Sequence, residues 1–299
     1  MSLTSYNSLQ DAIVSILGEE VNIIKESFVG GGDINQASCL YLSNGERLFL
    51  KSNSVANRSF FDAEEEGILA IASTGAVDTP KLLCKGTDKE RNISFLLMDM
   101  IESAGPVKDH WEIFGRELAH MHLSDTKGFV SDGIYGFDND NYIGASRQIN
   151  RAKDSWITFF RECRLEPQFK MAEEYFDNGF IRNALCLMDK LDKILVEPNK
   201  PSLLHGDLWS GNIMINAIGK AMLIDPAVYV GHAEADIAMT ELFGSLPGAF
   251  YKAYEDVNPL QPGYKERRDL YNLYHLLNHL NLFGSSYLFS VMRTVKKYL

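Results

Sequence analysis

The hydrophobic period of the chain changes once, near residue 100, and this change restricts the fold more than any other feature. Before it, β-branched and aromatic runs at Val21–Val29, Ala37–Leu42 and Arg47–Lys51 read as strands, as do residues 81–85 and 93–98. Asn44-Gly45 joins the second and third runs and is a strong hairpin turn. Two helices interrupt them. Leu9, Ile13, Ile16 and Leu17 share one face over residues 8–17, with Gly18 as the stop, and residues 60–72 form the second. After residue 100 helical spacing takes over, at 110–123, 154–163, 168–177, 180–195, 234–243, 247–255 and 264–282. One short hairpin breaks that series, Ile213–Ile215 with Ala221–Ile224, turning at residues 216–219. Strands followed by helices predict an α+β chain of two lobes with a cleft between them. Residues 1–100 would form a small antiparallel-sheet lobe with one main helix, and residues 101–299 a larger, mostly helical lobe.

Composition removes several classes of function. At 299 residues the chain can bury a full core without staples. Cys39, Cys84, Cys163 and Cys186 are scattered without a CxxC pair, and they read as reduced thiols. Lys plus Arg is 29 against 40 Asp plus Glu, a formal charge of −11. A nucleic-acid binder or a basic membrane-surface protein needs the opposite balance. No run approaches the roughly 18 apolar residues of a membrane span, and the N-terminus lacks the basic start of a signal peptide. The expectation is a soluble, cytoplasmic protein, monomeric by default. There is no GxxxxGK[ST] phosphate loop and no GxSxG elbow. His275 and His279 are spaced like zinc ligands, but HLLNH lacks the glutamate of a zinc protease, so both read as structural. His120 and His122 read as helix-packing residues.

The chemistry concentrates at His205-Gly206-Asp207-Leu208-Trp209-Ser210-Gly211-Asn212, followed by Ile224-Asp225-Pro226. The short hairpin lies between Asn212 and Asp225, and its antiparallel strands return both residues to the same mouth. Two oxygen ligands at one point suit Mg²⁺, which keeps water and phosphate oxygens as its other ligands. Asp207, beside the metal, is placed to accept the proton of a hydroxyl nucleophile, as phosphoryl transfer requires. Singly, each of these residues would be an ordinary turn or strand-end residue. The ordered set points to function. Gly30-Gly31-Gly32 between two strands lets the backbone approach phosphates without Cβ clashes. Lys51 ends an apolar strand and reads as a clamp on the α- and β-phosphates, and such a lysine needs a carboxylate partner. Glu64 is the expected partner, with Glu65 and Glu66 solvated.

In that order, these elements resemble the protein-kinase-like fold of small-molecule kinases. Within that group the chain resembles the fructosamine kinase (ketosamine kinase) family. The matching segments are GGGDIN at 30–35, FLKSN at 49–53, AEEEGI at 63–68, HGDLWSGN at 205–212 and DPAVYVGHAEADIAM at 225–239. Tyr135-Gly136-Phe137, Asn141 to Gly144, Gln148, Asn150 and Trp156 to Gln168 are similar too. The resemblance implies ATP- and Mg²⁺-dependent transfer to the 3-hydroxyl of a ketosamine, the sugar adduct that glycation leaves on an amine. It implies Asp207 as base, Asn212 and Asp225 as metal ligands, and Lys51 with Glu64 on the phosphates. Trp209 would line the sugar site, where an indole face covers the apolar side of a sugar. Met98 to Met100 would be the hinge against adenine.

The departures carry information as well. HGD replaces the HRD of protein kinases, DPA replaces DFG, and no APE is present. Without the loop arginine there is no receptor for an activation phosphate, so a constitutively assembled site is expected. Asp33 stands where some relatives carry a loop cysteine, and Asp138 and Ala152 stand where relatives often have a histidine and a tryptophan. His232, Glu234 and Asp236 read as a scaffold for the catalytic and metal loops. Two other functions fit less well: a kinase of aminoglycoside or choline hydroxyls on the same fold, and a non-catalytic nucleotide-binding protein.

Overall fold

The structure is a computed structural model and describes residues 3–30 and 34–299. It opens with strand β1 (Ser5–Tyr6) and helix α1 (Leu9–Leu17). The Ser8 hydroxyl caps α1, accepting from Asp11 N at 3.3 Å, and Gly18 ends the helix at φ +104°. Strands β2 (Ile23–Phe28), β3 (Gln36–Leu42) and β4 (Arg47–Ser54) form the expected meander. Helix α2 (Arg58–Ser73) follows, then β5 (Leu82–Asp88) and β6 (Ile93–Asp99). The sheet has six strands in the order β1-β5-β6-β4-β3-β2, antiparallel throughout except for the parallel edge pair β1–β5. β1 is too short to show a period in the sequence. Strand alternation divides the sheet between two helices. Leu48 and Leu50 of β4 join Phe95 and Leu97 beneath α1, in a cluster with Leu9 and Ile13. Phe49 faces the other way and packs with Phe61 of α2, Leu96 and Met98. Lys51, two residues after Phe49, therefore emerges on the α2 side.

Helices dominate after β6, starting with α3 (His110–His122). A hairpin follows that the sequence did not reveal, β7 (Asn141–Ile143) with β8 (Ser146–Gln148). Three-residue strands are too short to show alternation. The expected helices at 154–163 and 168–177 are instead one helical run. It comprises α4 (Trp156–Phe159), a π-helical turn at Phe160–Leu165 and α5 (Glu166–Met171). Pro167 has no N–H for the Cys163 carbonyl four residues back, and Arg164 Nη1 donates to that oxygen at 3.0 Å. The helix expected over 180–195 divides into α6 (Asn178–Met188) and α7 (Leu191–Ile194). β9 (Ser202–Leu204) leads to the 205–212 segment, and β10 (Ile213–Ile215) with β11 (Ala221–Leu223) form the expected hairpin. β12 (Tyr229–Gly231) pairs antiparallel with β9. Helices α8 (Glu234–Leu242), α9 (Gly248–Glu255) and α10 (Tyr264–Phe283) match the sequence reading to within a residue or two. A further helix, α11 (Leu288–Lys297), was not expected. It buries just Val291, Thr294 and Val295, a stripe too narrow to stand out.

One core cluster of this lobe gathers around Trp156 and α10, and a second joins α3, α9 and the β10–β11 hairpin to Ala70, Ile71 and Val77 of the first lobe. That second cluster ties the lobes together beside the site. No described helix is long and apolar enough to cross a membrane.

Candidate active site

The 205–212 segment follows β9 and turns sharply. Gly206 has φ +81°, and a Cβ there would lie 2.0 Å from the Ala227 carbonyl oxygen, so a side chain at this position has no room. Ala227 N in turn donates to the His205 carbonyl at 2.8 Å. The 205–212 segment and the segment after Asp225 are thus in direct backbone contact.

Asp236 of α8 holds this turn from below. Its carboxylate accepts from His205 N at 2.7 Å, Gly206 N at 2.9 Å and His122 Nε2 at 3.2 Å. Burial raises the carboxyl's pKa, but the His122 hydrogen bond, the charges of His122 and His205 and the Gly206 N–H outweigh it, and the net shift is downward. His122 is fully buried and also bonds Tyr254 OH at 2.7 Å. Glu234 holds the next turn through a two-pronged ion pair with Arg267, at 2.6 and 3.0 Å. His232 Nε2 meets Gln261 Oε1 at 2.8 Å. These contacts agree with the scaffold reading of His232, Glu234 and Asp236.

Asp207 then faces Asn212. The Asn212 amide donates to the Asp207 carbonyl at 2.8 Å and to its carboxylate at 3.2 Å. Burial pushes the Asp207 carboxyl up to about 7, against the Asn212 hydrogen bond. Asn212 N bonds the Trp209 carbonyl at 3.0 Å, closing the loop, and Ile224 N bonds the Asn212 carbonyl at 3.1 Å. The last bond brings the two ends of the hairpin together, so Asn212 and Asp225 share one mouth. Asp225 adopts a left-handed backbone, φ +52°, and its half-exposed carboxylate reaches across to Lys51 Nζ.

Lys51 also meets Glu64 Oε1 at 2.5 Å. Burial works against the ammonium, but Glu64 and Asp225 outweigh it and raise its pKa. Glu65 departs from expectation. It is 3% exposed and pairs with Lys85 at 2.7 Å, because one residue along a helix rotates the side chain about 100° toward β5. Glu66 is half-buried and accepts from Asn139 at 3.1 Å.

Gly30 is exposed at the end of β2, while Gly31 and Gly32 lie outside the described residues. Met98 sits inside β6, buried and paired with strands on both sides. Met100 is two residues further, past the strand end. Trp209 is 39% exposed beside Asp207. Its indole lies over Gly211 and meets Phe243 edge-on at 6.4 Å between centroids. Phe243 stacks on His279 at 4.6 Å, and the ring of Tyr287 stands edge-on to His279. This aromatic wall was not foreseen, because its members come from four separate segments.

A divalent cation fits the donor set. Asn212 uses its amide nitrogen on Asp207, which leaves its Oδ1 to meet a hard cation alongside the Asp225 carboxylate. A carboxylate, a metal-suited oxygen pair and a partly buried lysine facing one cleft can position a nucleotide and deprotonate a hydroxyl.

The chain is similar to several known proteins. The chain is 39% identical to the chloroplastic protein-ribulosamine 3-kinase of Oryza sativa subsp. japonica over 284 residues, 94% of this chain and 81% of that protein. It is 37% identical over 283 residues to a Synechocystis protein assigned as a ketoamine kinase, 94% of this chain and 92% of the relative. A crystal structure from Haemophilus somnus 129PT, assigned as a fructosamine-3-kinase, superposes with a TM-score of 0.86 at 29% identity, covering 98% and 97% of the two chains. The model of the family described as fructosamine kinase matches residues 5–299, and on this match and these identities the chain belongs to the fructosamine kinase family.

Proposed function

We propose that this chain is an ATP-dependent kinase that phosphorylates the 3-hydroxyl of a ketosamine. The observation that carries this reading is the meeting of Asp207, Asn212, Asp225 and the Lys51–Glu64 pair at one cleft, in a chain of this family. Asp207 holds the acceptor hydroxyl and takes its proton as the oxygen bonds to the γ-phosphorus and ADP leaves. Asn212 and Asp225 would hold Mg²⁺, which when bound supplies positive charge to the phosphate oxygens. Lys51 turns from Asp225 to the phosphates when nucleotide enters, and Glu64 keeps its ammonium in place. The backbone of Gly30, Gly31 and Gly32 covers the phosphates. Met98 supports the end of the strand from inside, and Met100 brings backbone groups to adenine. Residues 1–100 thus hold the nucleotide and residues 101–299 the acceptor. Trp209 offers its indole face to the sugar.

The test is ADP release by the wild type and D207N on a panel of fructosyl-lysine, ribulosyl-lysine, choline and an aminoglycoside. The expected result is turnover on a ketosamine and a loss of about 10²–10⁴-fold in D207N. Near-normal turnover by D207N would remove Asp207 from its role. Turnover on choline or the aminoglycoside alone would remove the ketosamine.

A further inference from the structure

Asp225 is one of three non-glycine described residues with positive φ, and left-handed backbone persists at such a residue where its surroundings over-determine it. The constraint comes from the unexpected hairpin. Gln148 is 1% exposed and directs its amide at the Ala227 carbonyl, at 2.9 Å, and at Asn141 Oδ1, at 2.7 Å. Asn141 donates to the Val228 carbonyl at 2.7 Å. Tyr274 OH donates to Gln148 Oε1 at 2.7 Å and fixes which end of the amide faces Ala227. The two carbonyls so held lie two and three residues after Asp225. Burying this many polar groups is costly unless every one is satisfied, and here they converge on one stretch of backbone.

The other face of the same hairpin touches α2. Tyr142 packs on Phe60 with ring centroids 4.1 Å apart, and its hydroxyl meets Ser59 Oγ at 2.8 Å. α2 carries Glu64. The hairpin therefore stands between the two elements whose carboxylates meet on Lys51.

We propose that the hairpin Asn141–Gln148 is a positioning strut: through Gln148 and Asn141 it holds the strained Asp225 segment in its metal-binding geometry, and through Tyr142 it registers that segment against α2. The inference rests on the reading of Asp225 as a metal ligand. It gives a physical basis for a site assembled without a phosphorylation switch, because the segment that would have to move is held by side-chain amides.

Calorimetry with AMP-PNP, with and without Mg²⁺, tests it without any turnover. The readout is the gain in nucleotide affinity that Mg²⁺ confers. Q148L is expected to cut that gain by about 10-fold or more, the scale of lost support behind a metal ligand, and to leave the metal-free affinity in place. Y142A, on the half-buried face, should cut it less and in the same direction, and it carries the test if Q148L does not fold. A lower melting temperature with an unchanged Mg²⁺ gain would show a merely structural hairpin and overturn the proposal. D225N separates the two levels. Loss of the gain in D225N with an intact gain in Q148L and Y142A refutes the strut alone, whereas an intact gain in D225N refutes the metal reading and the strut with it.

Discussion

Replacing Asp236 by Asn tests how the catalytic turn is held. The two side chains are nearly the same size, so the change leaves packing intact and alters only charge and hydrogen-bond polarity. Asp236 is buried and accepts three hydrogen bonds, two from the backbone of His205 and Gly206 and one from His122. An amide keeps one oxygen. Its NH₂ must then face either Gly206 N or the His205 and His122 donors, so at least one hydrogen bond is lost. A hydrogen bond to a charged group is worth about 1.5–3 kcal/mol, and those that survive weaken to roughly half as neutral bonds. The expected cost is about 3–5 kcal/mol, within the roughly 5–15 kcal/mol stability of a folded domain, so D236N should still fold. Because the damage lies at residues 205 and 206, next to Asp207, turnover should fall by about 10-fold or more, on the scale of about 1.4 kcal/mol per factor of ten. KM for ATP should rise less than turnover falls, since the proposed nucleotide contacts of Lys51 and Met100 lie in the other lobe and only the proposed metal ligands Asn212 and Asp225 adjoin the damaged turn. Urea denaturation and steady-state kinetics of ADP release measure both quantities. A variant within 1 kcal/mol of wild type, as a rough bound, and with full turnover would refute the view that this carboxylate holds the catalytic turn.

Three further outcomes are expected. A Cβ at residue 211 would lie 2.3 Å from Trp209 Cη2, so G211A should push the indole aside. It should raise KM for the ketosamine by about 2- to 10-fold and leave KM for ATP unchanged; equal rises in both would remove Trp209 from the sugar site. Arg164 is fully buried, donates to Ile149 O, Cys163 O and Asn150 Oδ1, and stacks over Tyr229 at 3.8 Å. A lysine cannot span these partners, so R164K should lose about 3 kcal/mol in urea denaturation, and equal stability would show the fork to be dispensable. Burial, and then the charge of His279, lower the His275 pKa to about 3. The unfolded chain titrates near 6.5, so it takes up a proton there that the folded chain refuses until about 3. Stability from this group is full above pH 6.5 and falls as pH drops toward 3, by at most about 1.4 kcal/mol per unit. H275N should flatten the pH dependence of the urea midpoint by about one proton, and an unaltered slope would contradict this account.

The sequence by itself determined whatever is local. The two-lobed α+β plan followed from strand period giving way to helix period, since a side chain's face depends on its immediate neighbours. The meeting of Asp207, Asn212 and Asp225 was legible because the first two share one loop and a short hairpin returns the third beside them. Lys51 was legible because it closes an apolar run, although β4 continues three residues past it to Ser54, and Glu64 was one of three adjacent glutamates on α2. Tertiary structure decided what depends on partners far along the chain. Glu65 looked solvated because nothing nearby in sequence announces Lys85, 20 residues on, across the turn from helix to sheet. The Trp209–Phe243–His279 wall joins a loop, a helix end and α10, and no spacing rule connects them. Asn141 and Gln148 stood out in the sequence only as part of a family-like stretch, with no role attached to them. They become a strut only because the fold carries the carbonyls of Val228 and Ala227 to them over 87 and 79 residues. Hydrophobic periods are additive along a chain, whereas a buried hydrogen bond requires both partners at about 3 Å. Only the packed structure sets that distance.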